Sequence, residues 1–193
     1  MLQVINYPHP TLRHKSKPLR KVDAKLKAMV AEMFELMYEH RGVGLAANQV
    51  DLPFQLFIMD PTGEEGSGEA RVLINPVVQS PRGSREAEEG CLSIPDVYGQ
   101  VVRPTTVHVI AYDLSGNKMD EEVDGLRARV IQHEFDHLQG VLFFDRMTEA
   151  ARRSIEGELE EFELEYEAML RQDDGLSAEN VARRLAELEA EYC

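Results

Sequence analysis

The stretch Gln132-His133-Glu134-Phe135-Asp136-His137-Leu138 decides how the rest of the chain is interpreted. It contains the pattern H-E-x-x-H. On a helix, residues four positions apart lie on one face, so His133 and His137 can direct two imidazoles at one metal ion. Glu134 then stands where it can accept a proton from a water molecule on that ion. The stretch therefore predicts a helix that carries two metal ligands and a base.

Flanking residues independently favour this helix. Asp124 is a good N-cap, and Gly140 stands where a helix should end. Apolar residues fall at near-helical spacing between them, namely Leu126, Val130, Ile131 and Leu138. The pattern alone leaves open a helix with two surface histidines that meet by chance. Two imidazoles do not hold a catalytic metal, so a third ligand must come from elsewhere in the chain.

The composition indicates a globular protein. The chain has 193 residues, of which 43% are hydrophobic and 29% charged. It has no apolar run long enough for a bilayer, and Met1–Asn6 is too short and too poor in basic residues for a signal peptide. Two cysteines make no disulfide framework, which predicts a cytoplasmic protein and leaves Cys91 available as a thiolate. The net charge of −14 argues against direct binding to nucleic acid.

The charge distribution predicts a catalytic domain over residues 1–147 and an acidic helical C-terminal extension over residues 148–193. Residues 149–193 hold 14 acidic and 5 basic residues. Two apolar stripes with helical spacing run through the extension: Ile155, Leu159, Phe162, Tyr166 and Met169, then Val181, Leu185, Leu188 and Tyr192. They predict one helix over residues 148–171 and a second after Ser177, joined as an antiparallel hairpin. We expect this hairpin to pack on the catalytic body or on a second copy of itself, with the homodimer as the favoured arrangement, and to affect stability or oligomeric state rather than turnover.

Between these features the sequence alternates helix and strand signals of the α+β class. Asp23 predicts the start of a helix that reaches about His40. Strands are predicted over residues 54–59, 71–79, 84–89, 105–112 and 118–123. Pro76 places the second of these at a sheet edge or on a bulge. The expected fold has antiparallel or mixed sheets around a central metal-binding helix, with the helical extension added.

Cys91 is the candidate third ligand. It lies in a polar, proline-bounded turn rather than in an apolar run. A thiolate and two neutral imidazoles leave one coordination position open for water, as a catalytic site requires. A second unusual segment, residues 42–49, combines glycines and alanines that let the backbone pass close to a ligand. A tight turn that enters a strand explains that segment equally well.

Three segments in series resemble the peptide deformylase family. They are Gly42-Val43-Gly44-Leu45-Ala46-Ala47-Asn48-Gln49, Glu89-Gly90-Cys91-Leu92-Ser93 and Gln132-His133-Glu134-Phe135-Asp136-His137. The resemblance covers about residues 1–147. It implies a cytoplasmic hydrolase of protein biosynthesis that removes the N-formyl group from the N-formyl-methionine of nascent polypeptides. One alternative is a metalloendopeptidase of the H-E-x-x-H type, which would cleave internal peptide bonds. The other is a non-catalytic metal-binding or ribosome-tethered module, which would show no metal-dependent turnover.

The resemblance also implies roles for individual residues. The implied metal ligands are Cys91, His133 and His137. The implied catalytic groups are Glu134 as general acid/base, the Gln49 side chain and the Leu92 backbone N–H. The implied substrate-binding residues are Val43, Gly44 and Glu89. The cofactor is one divalent ion per chain, natively Fe²⁺, although Zn²⁺, Ni²⁺ or Co²⁺ can occupy the same ligands.

Two residues or regions fit the resemblance less well. Arg129 lies one helical turn before His133, near the methionine pocket of the family. Its stem must either run past the pocket or line a wider one. Some bacterial members dock on the ribosome near the exit tunnel through a C-terminal helix, and the acidic extension argues against that docking here.

Overall fold

The computed structural model describes residues 1–193, apart from the side chain of Asp174. The chain is α+β, as predicted. Its strands are β1 Gly44–Ala46, β2 Leu56–Met59, β3 Arg71–Arg82, β4 Arg85–Cys91, β5 Ile94–Arg103, β6 Thr106–Tyr112 and β7 Lys118–Asp124. Its α-helices are α1 Ala24–Glu39, α2 Gly125–Leu138, α3 Glu149–Arg153, α4 Glu156–Leu170 and α5 Ala178–Tyr192. Within the described residues, no helix is long and apolar enough to cross a membrane.

The strands form two antiparallel sheets. One has five strands in the order β1-β2-β3-β6-β7, and the other pairs β4 with β5. Pro76 does not place β3 at an edge, because β3 pairs with β2 and β6; a register shift between Ile74 and Val77 accommodates the proline instead. The sequence analysis missed β5. Its Pro95 and Gly99 are residues that normally interrupt a strand.

Helix α2 is the predicted metal-binding helix, and it packs on the five-stranded sheet. Apolar residues of α2, including Ala128, Ile131 and Leu138, join a buried cluster with sheet residues such as Phe57 and Val109. Asp124 occupies the N-cap position, but its side chain makes no capping hydrogen bond. The helix therefore owes its position to burial of one face, which gives the functional side chains a rigid support.

Gly140 follows the end of α2, as predicted. Its φ of 73° is left-handed, where glycine is favoured. A Cβ at this position would also lie 2.5 Å from the backbone oxygen of Arg13. The N-terminal segment thus passes directly over the end of α2, and any larger residue at position 140 would push the two apart.

The extension differs in detail from its prediction. The expected single helix over residues 148–171 is two helices, α3 and α4, because the chain turns at Ser154 and buries Ile155. Met169 is 45% exposed, so the first stripe is shorter than predicted. Helix α5 begins after Ser177 as expected, and the Ser177 hydroxyl accepts a hydrogen bond from the Asn180 N–H.

Both apolar stripes of the extension face the catalytic body. Ile155, Leu159 and Phe162 belong to a cluster with Leu12, Val97 and other residues of the body, while Tyr192 joins the cluster beneath α1. Of the two predicted arrangements, packing on the body is therefore the one that this structure contains. Formation of a homodimer stays a prediction.

Tyr192→Ala should lower the free energy of unfolding by about 3 kcal/mol, as expected when a large buried aromatic side chain is removed. The ring is 1% exposed and its centroid lies 5.1 Å from that of Phe54. Denaturant unfolding of the full-length protein measures the change. Leu164→Ala, on the exposed face of α4, is the matched control and should change stability by less than about 0.5 kcal/mol. Equal effects of the two substitutions would mean that α5 is not docked.

Candidate active site

The three predicted metal ligands converge on one point. Cys91 ends β4, and His133 and His137 project from adjacent turns of α2. The Cys91 Sγ lies 3.3 Å from His137 Nε2, which lies 3.3 Å from His133 Nε2. All three donor atoms lie within 4.8 Å of one another. Cys91, which precedes both histidines by more than 40 positions in the sequence, thus presents its sulfur to the same centre as their two nitrogens.

Glu89 fixes the orientation of His133. Its Oε2 lies 3.1 Å from His133 Nδ1, so that Nδ1–H can donate to the carboxylate and the Nε2 lone pair faces the common centre. Arg103 donates to both oxygens of Glu89, at 2.7 and 2.9 Å, and Arg129 donates to one at 2.5 Å. Burial raises the pKa of Glu89, but hydrogen bonds from His133 and Arg103 outweigh it and lower the pKa to about 2. The carboxylate is therefore charged at neutral pH.

These contacts occupy the Glu89 carboxylate on several sides. Substrate binding by Glu89 stays a prediction, whereas its contact with Nδ1 of His133 shows that it orients the side chain of a candidate metal ligand. The same guanidinium network continues from Arg103 to Asp136 at 2.8 Å, and Asp136 in turn accepts hydrogen bonds from Arg146. Sequence reasoning missed this network, because nothing in the local pattern around Arg103 or Arg146 shows that they meet the helix.

The donor set fits a divalent cation. Burial lowers the pKa of His133, but contacts with Cys91 and Glu89 reverse the effect and raise it to about 10. Burial and the neighbouring His133 lower the pKa of His137 well below its usual value. The two imidazoles thus favour one positive charge between them, and a proton and a metal ion compete for the same nitrogen atoms. A thiolate with two imidazoles is a three-ligand set that zinc and other late divalent ions accept.

Glu134 lies beside the donors with a carboxylate oxygen available for chemistry. The residue is 4% exposed, and its Oε2 has no hydrogen-bond partner among the described residues. Burial raises the pKa of Glu134 to about 7. A carboxyl group with that pKa can both accept and release a proton near neutral pH. Gly44 in β1 passes so close that a Cβ there would overlap the Glu134 carboxylate.

Gln49 directs an amide N–H₂ group at the same centre. It lies in a 3-10 turn over Ala47–Val50, and its Oε1 accepts a hydrogen bond from the Ala46 N–H at 2.9 Å. That bond turns Nε2 toward the Cys91 Sγ and the Ser93 hydroxyl, each 3.3 Å away. The amide is therefore held in one orientation as a neutral donor.

A cavity of about 600 Å³ opens onto these groups. All of the predicted catalytic and substrate-binding residues line it, namely Val43, Gly44, Gln49, Glu89, Leu92 and Glu134, together with the candidate ligands Cys91 and His133. Strand β1 stands at one end of the five-stranded sheet, and one of its backbone edges has no partner among the described strands. An extended peptide can pair with such an edge.

Arg129 also lines the cavity, and its head group is held aside. The guanidinium donates to Glu89, to the Val101 carbonyl at 3.1 Å and to the Arg85 carbonyl at 2.7 Å. The stem can therefore flank the pocket without placing an unpaired charge in it. This arrangement is the first of the two that the sequence left open.

Comparison with known proteins gives the family. Residues 1–153 match the family model described as polypeptide deformylase. This chain belongs to the peptide deformylase family. A peptide deformylase of Rhodopirellula baltica is 52% identical over 193 residues, covering 99% of this chain and 95% of the relative. The chloroplastic peptide deformylase 1B of Oryza sativa is 46% identical over 167 residues, covering 86% of this chain and 62% of the relative.

Solved deformylase structures share the fold. The crystal structure of a plant peptide deformylase superposes with a TM-score of 0.85 at 44% identity, covering 87% of this chain and 92% of that one. A Plasmodium falciparum peptide deformylase gives a TM-score of 0.83 at 36% identity, covering 86% and 98% of the two chains. The protein is thus a peptide deformylase, a hydrolase that removes N-formyl groups. The family model ends at residue 153, whereas the match to the Rhodopirellula protein covers nearly the whole chain, extension included.

Proposed function

We propose that this peptide deformylase deformylates N-formyl-methionyl nascent polypeptides with one divalent metal ion, held by Cys91, His133 and His137, and with Glu134 as general acid/base. The observation that carries the proposal is the convergence, in one cavity, of three ligand atoms, a buried carboxylate oxygen without a partner and an oriented amide donor. A site that only bound metal would need neither the carboxylate nor the amide. We further propose residues 1–147 as the catalytic domain and residues 148–193 as an extension of it.

A divalent ion bound by these ligands supplies Lewis-acid chemistry, which lowers the pKa of a water molecule and polarises a carbonyl. We assign Fe²⁺ as the native ion on the family resemblance. The same donor set accepts Zn²⁺, Ni²⁺ or Co²⁺, because one thiolate and two imidazoles suit several late divalent ions. The cytoplasm, where formylated chains are made and thiols stay reduced, is the proposed location.

Glu134 carries out the proton transfers. It accepts a proton from water as the water oxygen attacks the formyl carbon, and it passes that proton to the departing amine when the C–N bond breaks. The products are formate and a free N-terminal amine. A pKa raised by burial to about 7 suits both steps, because the same group must act first as base and then as acid.

Gln49 and Leu92 stabilise the charge that develops on the formyl oxygen. The Gln49 amide is held by Ala46 and directed at the centre, and the Leu92 backbone N–H follows ligand Cys91 directly. Each such donor typically contributes about 3 kcal/mol in the transition state. Gly44 on the free edge of β1 and Val43 just before it pair with the substrate backbone, so that peptides of differing sequence are accepted.

The test compares two reactions of one preparation. Protein purified anaerobically with Fe²⁺, alongside a zinc-loaded sample, is given a formyl-Met dipeptide and a longer peptide with a blocked, unformylated N-terminus. We expect formate release from the first and no internal cleavage of the second. Internal cleavage at a comparable rate would favour the metalloendopeptidase alternative and contradict the proposal.

A further inference from the structure

Residues 5–16, the N-terminal strap, lie between the active site and the extension. On the inner side of the strap, the Ile5 N–H donates to the Gln49 carbonyl at 2.9 Å. The Tyr7 N–H donates to the Ser93 carbonyl, also at 2.9 Å. The strap thus hydrogen-bonds both to the turn that carries Gln49 and to the segment that follows Cys91.

Asn48, which precedes Gln49, also connects the Ala47–Val50 turn to the strap. Asn48 is fully buried, and its amide nitrogen donates to the His14 carbonyl at 2.9 Å and to the Thr11 carbonyl at 3.3 Å. Its side-chain oxygen accepts a hydrogen bond from the Ser16 hydroxyl at 2.8 Å. The Ala47–Val50 turn therefore has little freedom to move unless the strap moves with it.

The extension holds the outer side of this assembly. In α4, Glu163 accepts a hydrogen bond from the Tyr7 hydroxyl at 2.6 Å. In α5, Glu189 lies 2.7 Å from Nε2 of His14. The third contact goes to the Gln49 turn itself: Arg184 donates to Oδ2 of Asp51 through Nε at 2.8 Å and through Nη2 at 2.5 Å.

Asp51 is the residue that closes the Gln49 turn. Its φ of 61° is left-handed, and its backbone N–H donates to the carbonyls of Ala47 and Asn48. Its other carboxylate oxygen accepts a hydrogen bond from the Thr11 hydroxyl. Asp51 is thus fixed from two sides, by Thr11 of the strap and by Arg184 of the extension, in a conformation that non-glycine residues seldom adopt.

We propose that Arg184 is a positioning residue for Gln49: through Asp51 it holds the turn that aims the Gln49 amide at the reacting carbonyl. The inference rests on the proposed role of Gln49 in stabilising the formyl oxygen. It revises the expectation that the extension affects only stability or oligomeric state. The Arg184–Asp51 pair is partly exposed, so it contributes little to the free energy of unfolding. Catalysis is more sensitive, because a small displacement of a donor weakens its hydrogen bond in the transition state.

The first experiment substitutes Arg184 in the full-length, metal-loaded enzyme. We expect Arg184→Met to lower kcat for a formyl-Met peptide by about five- to twentyfold while KM and metal content stay nearly unchanged, since the lost interaction acts in the transition state. Arg184→Lys should recover part of the loss because it keeps one positive charge. Arg183→Met is the matched control, since Arg183 is exposed and makes no ion pair with any described residue; it should leave kcat unchanged.

A double-mutant cycle separates positioning from general loosening of the fold. Gln49→Ala alone should lower kcat by about 10²–10³-fold, as loss of an oxyanion donor does. In that background, Arg184→Met should have little further effect, because the group that it positions is gone. If the kcat losses of the two single substitutions multiplied in the double mutant, Arg184 would not act through Gln49. A wild-type kcat in Arg184→Met would likewise contradict the positioning role. Either result would leave the proposed function itself standing. A Gln49→Ala enzyme with normal kcat would instead remove the proposed role of Gln49, and the inference with it.

Discussion

Replacement of Cys91 by serine will remove most of the bound metal from the purified enzyme, and deformylation with it. The Cys91 sulfur lies within 4.8 Å of both imidazole donors and supplies the only anionic ligand of the set. A serine hydroxyl is a neutral and weaker donor at neutral pH, while the two histidines alone leave an incomplete site. Elemental analysis should show about one ion per chain in the wild type and a small fraction of that in Cys91→Ser.

The chain supplies its own control for this experiment. Cys193, the other free cysteine, directly follows α5, and its sulfur lies 3.7 Å from the Lys17 carbonyl oxygen. Cys193→Ser should keep both metal and turnover. Unchanged metal content in Cys91→Ser, with the fold intact by circular dichroism, would show that Cys91 is not a ligand.

The convergence of the candidate metal ligands was predictable from the sequence in part, because it depends on local geometry. The spacing of His133 and His137 becomes one helical face as soon as the segment is helical, whatever surrounds it. Cys91 needed a further argument, from its polar turn and from the number of ligands that a catalytic ion requires. The structure places all three donors around one centre.

What supports these ligands was not predictable in the same way. Glu89 meets His133, Arg103 and Arg129 only because β4, β5 and α2 pack together. No periodic pattern in the sequence predicts these contacts. The predicted substrate role of Glu89 came from its place in a motif, whereas the ligand-orienting geometry came from the fold.

The packing of the extension was also only partly predictable from the sequence. Its apolar stripes predict two amphipathic segments, but a stripe does not say which surface it covers. The chain turns at Ser154 and Ile155, and Ile155 is buried in the cluster that contains Leu12 and Phe143 of the body; such burial can override the helical propensity of the surrounding residues. Likewise, Arg184 and Asp51 are separated by 133 positions, and only the docked helix brings them together.

Replacement of Glu134 by alanine should leave the metal in place and lower kcat by about 10²–10⁴-fold, the usual contribution of a positioned acid/base. The ligands do not include Glu134, so the three-donor set stays complete. The substitution removes Glu134 Oε2, which has no hydrogen-bond partner among the described residues. The variant therefore lacks the group that accepts the proton from water and donates it to the departing amine. Steady-state kinetics at saturating formyl-Met peptide, with metal analysis of the same sample, measures both outcomes.

Two further variants distinguish proton transfer from packing. Glu134→Gln fills the same space beneath Gly44 but cannot accept a proton, so it should be nearly as inactive as Glu134→Ala. Glu134→Asp keeps the carboxylate but withdraws it by one methylene, so its kcat should lie between those of Glu134→Gln and the wild type. If Glu134→Gln retained near-normal turnover with full metal content, the carboxylate would be there for packing, and the base would have to be another group.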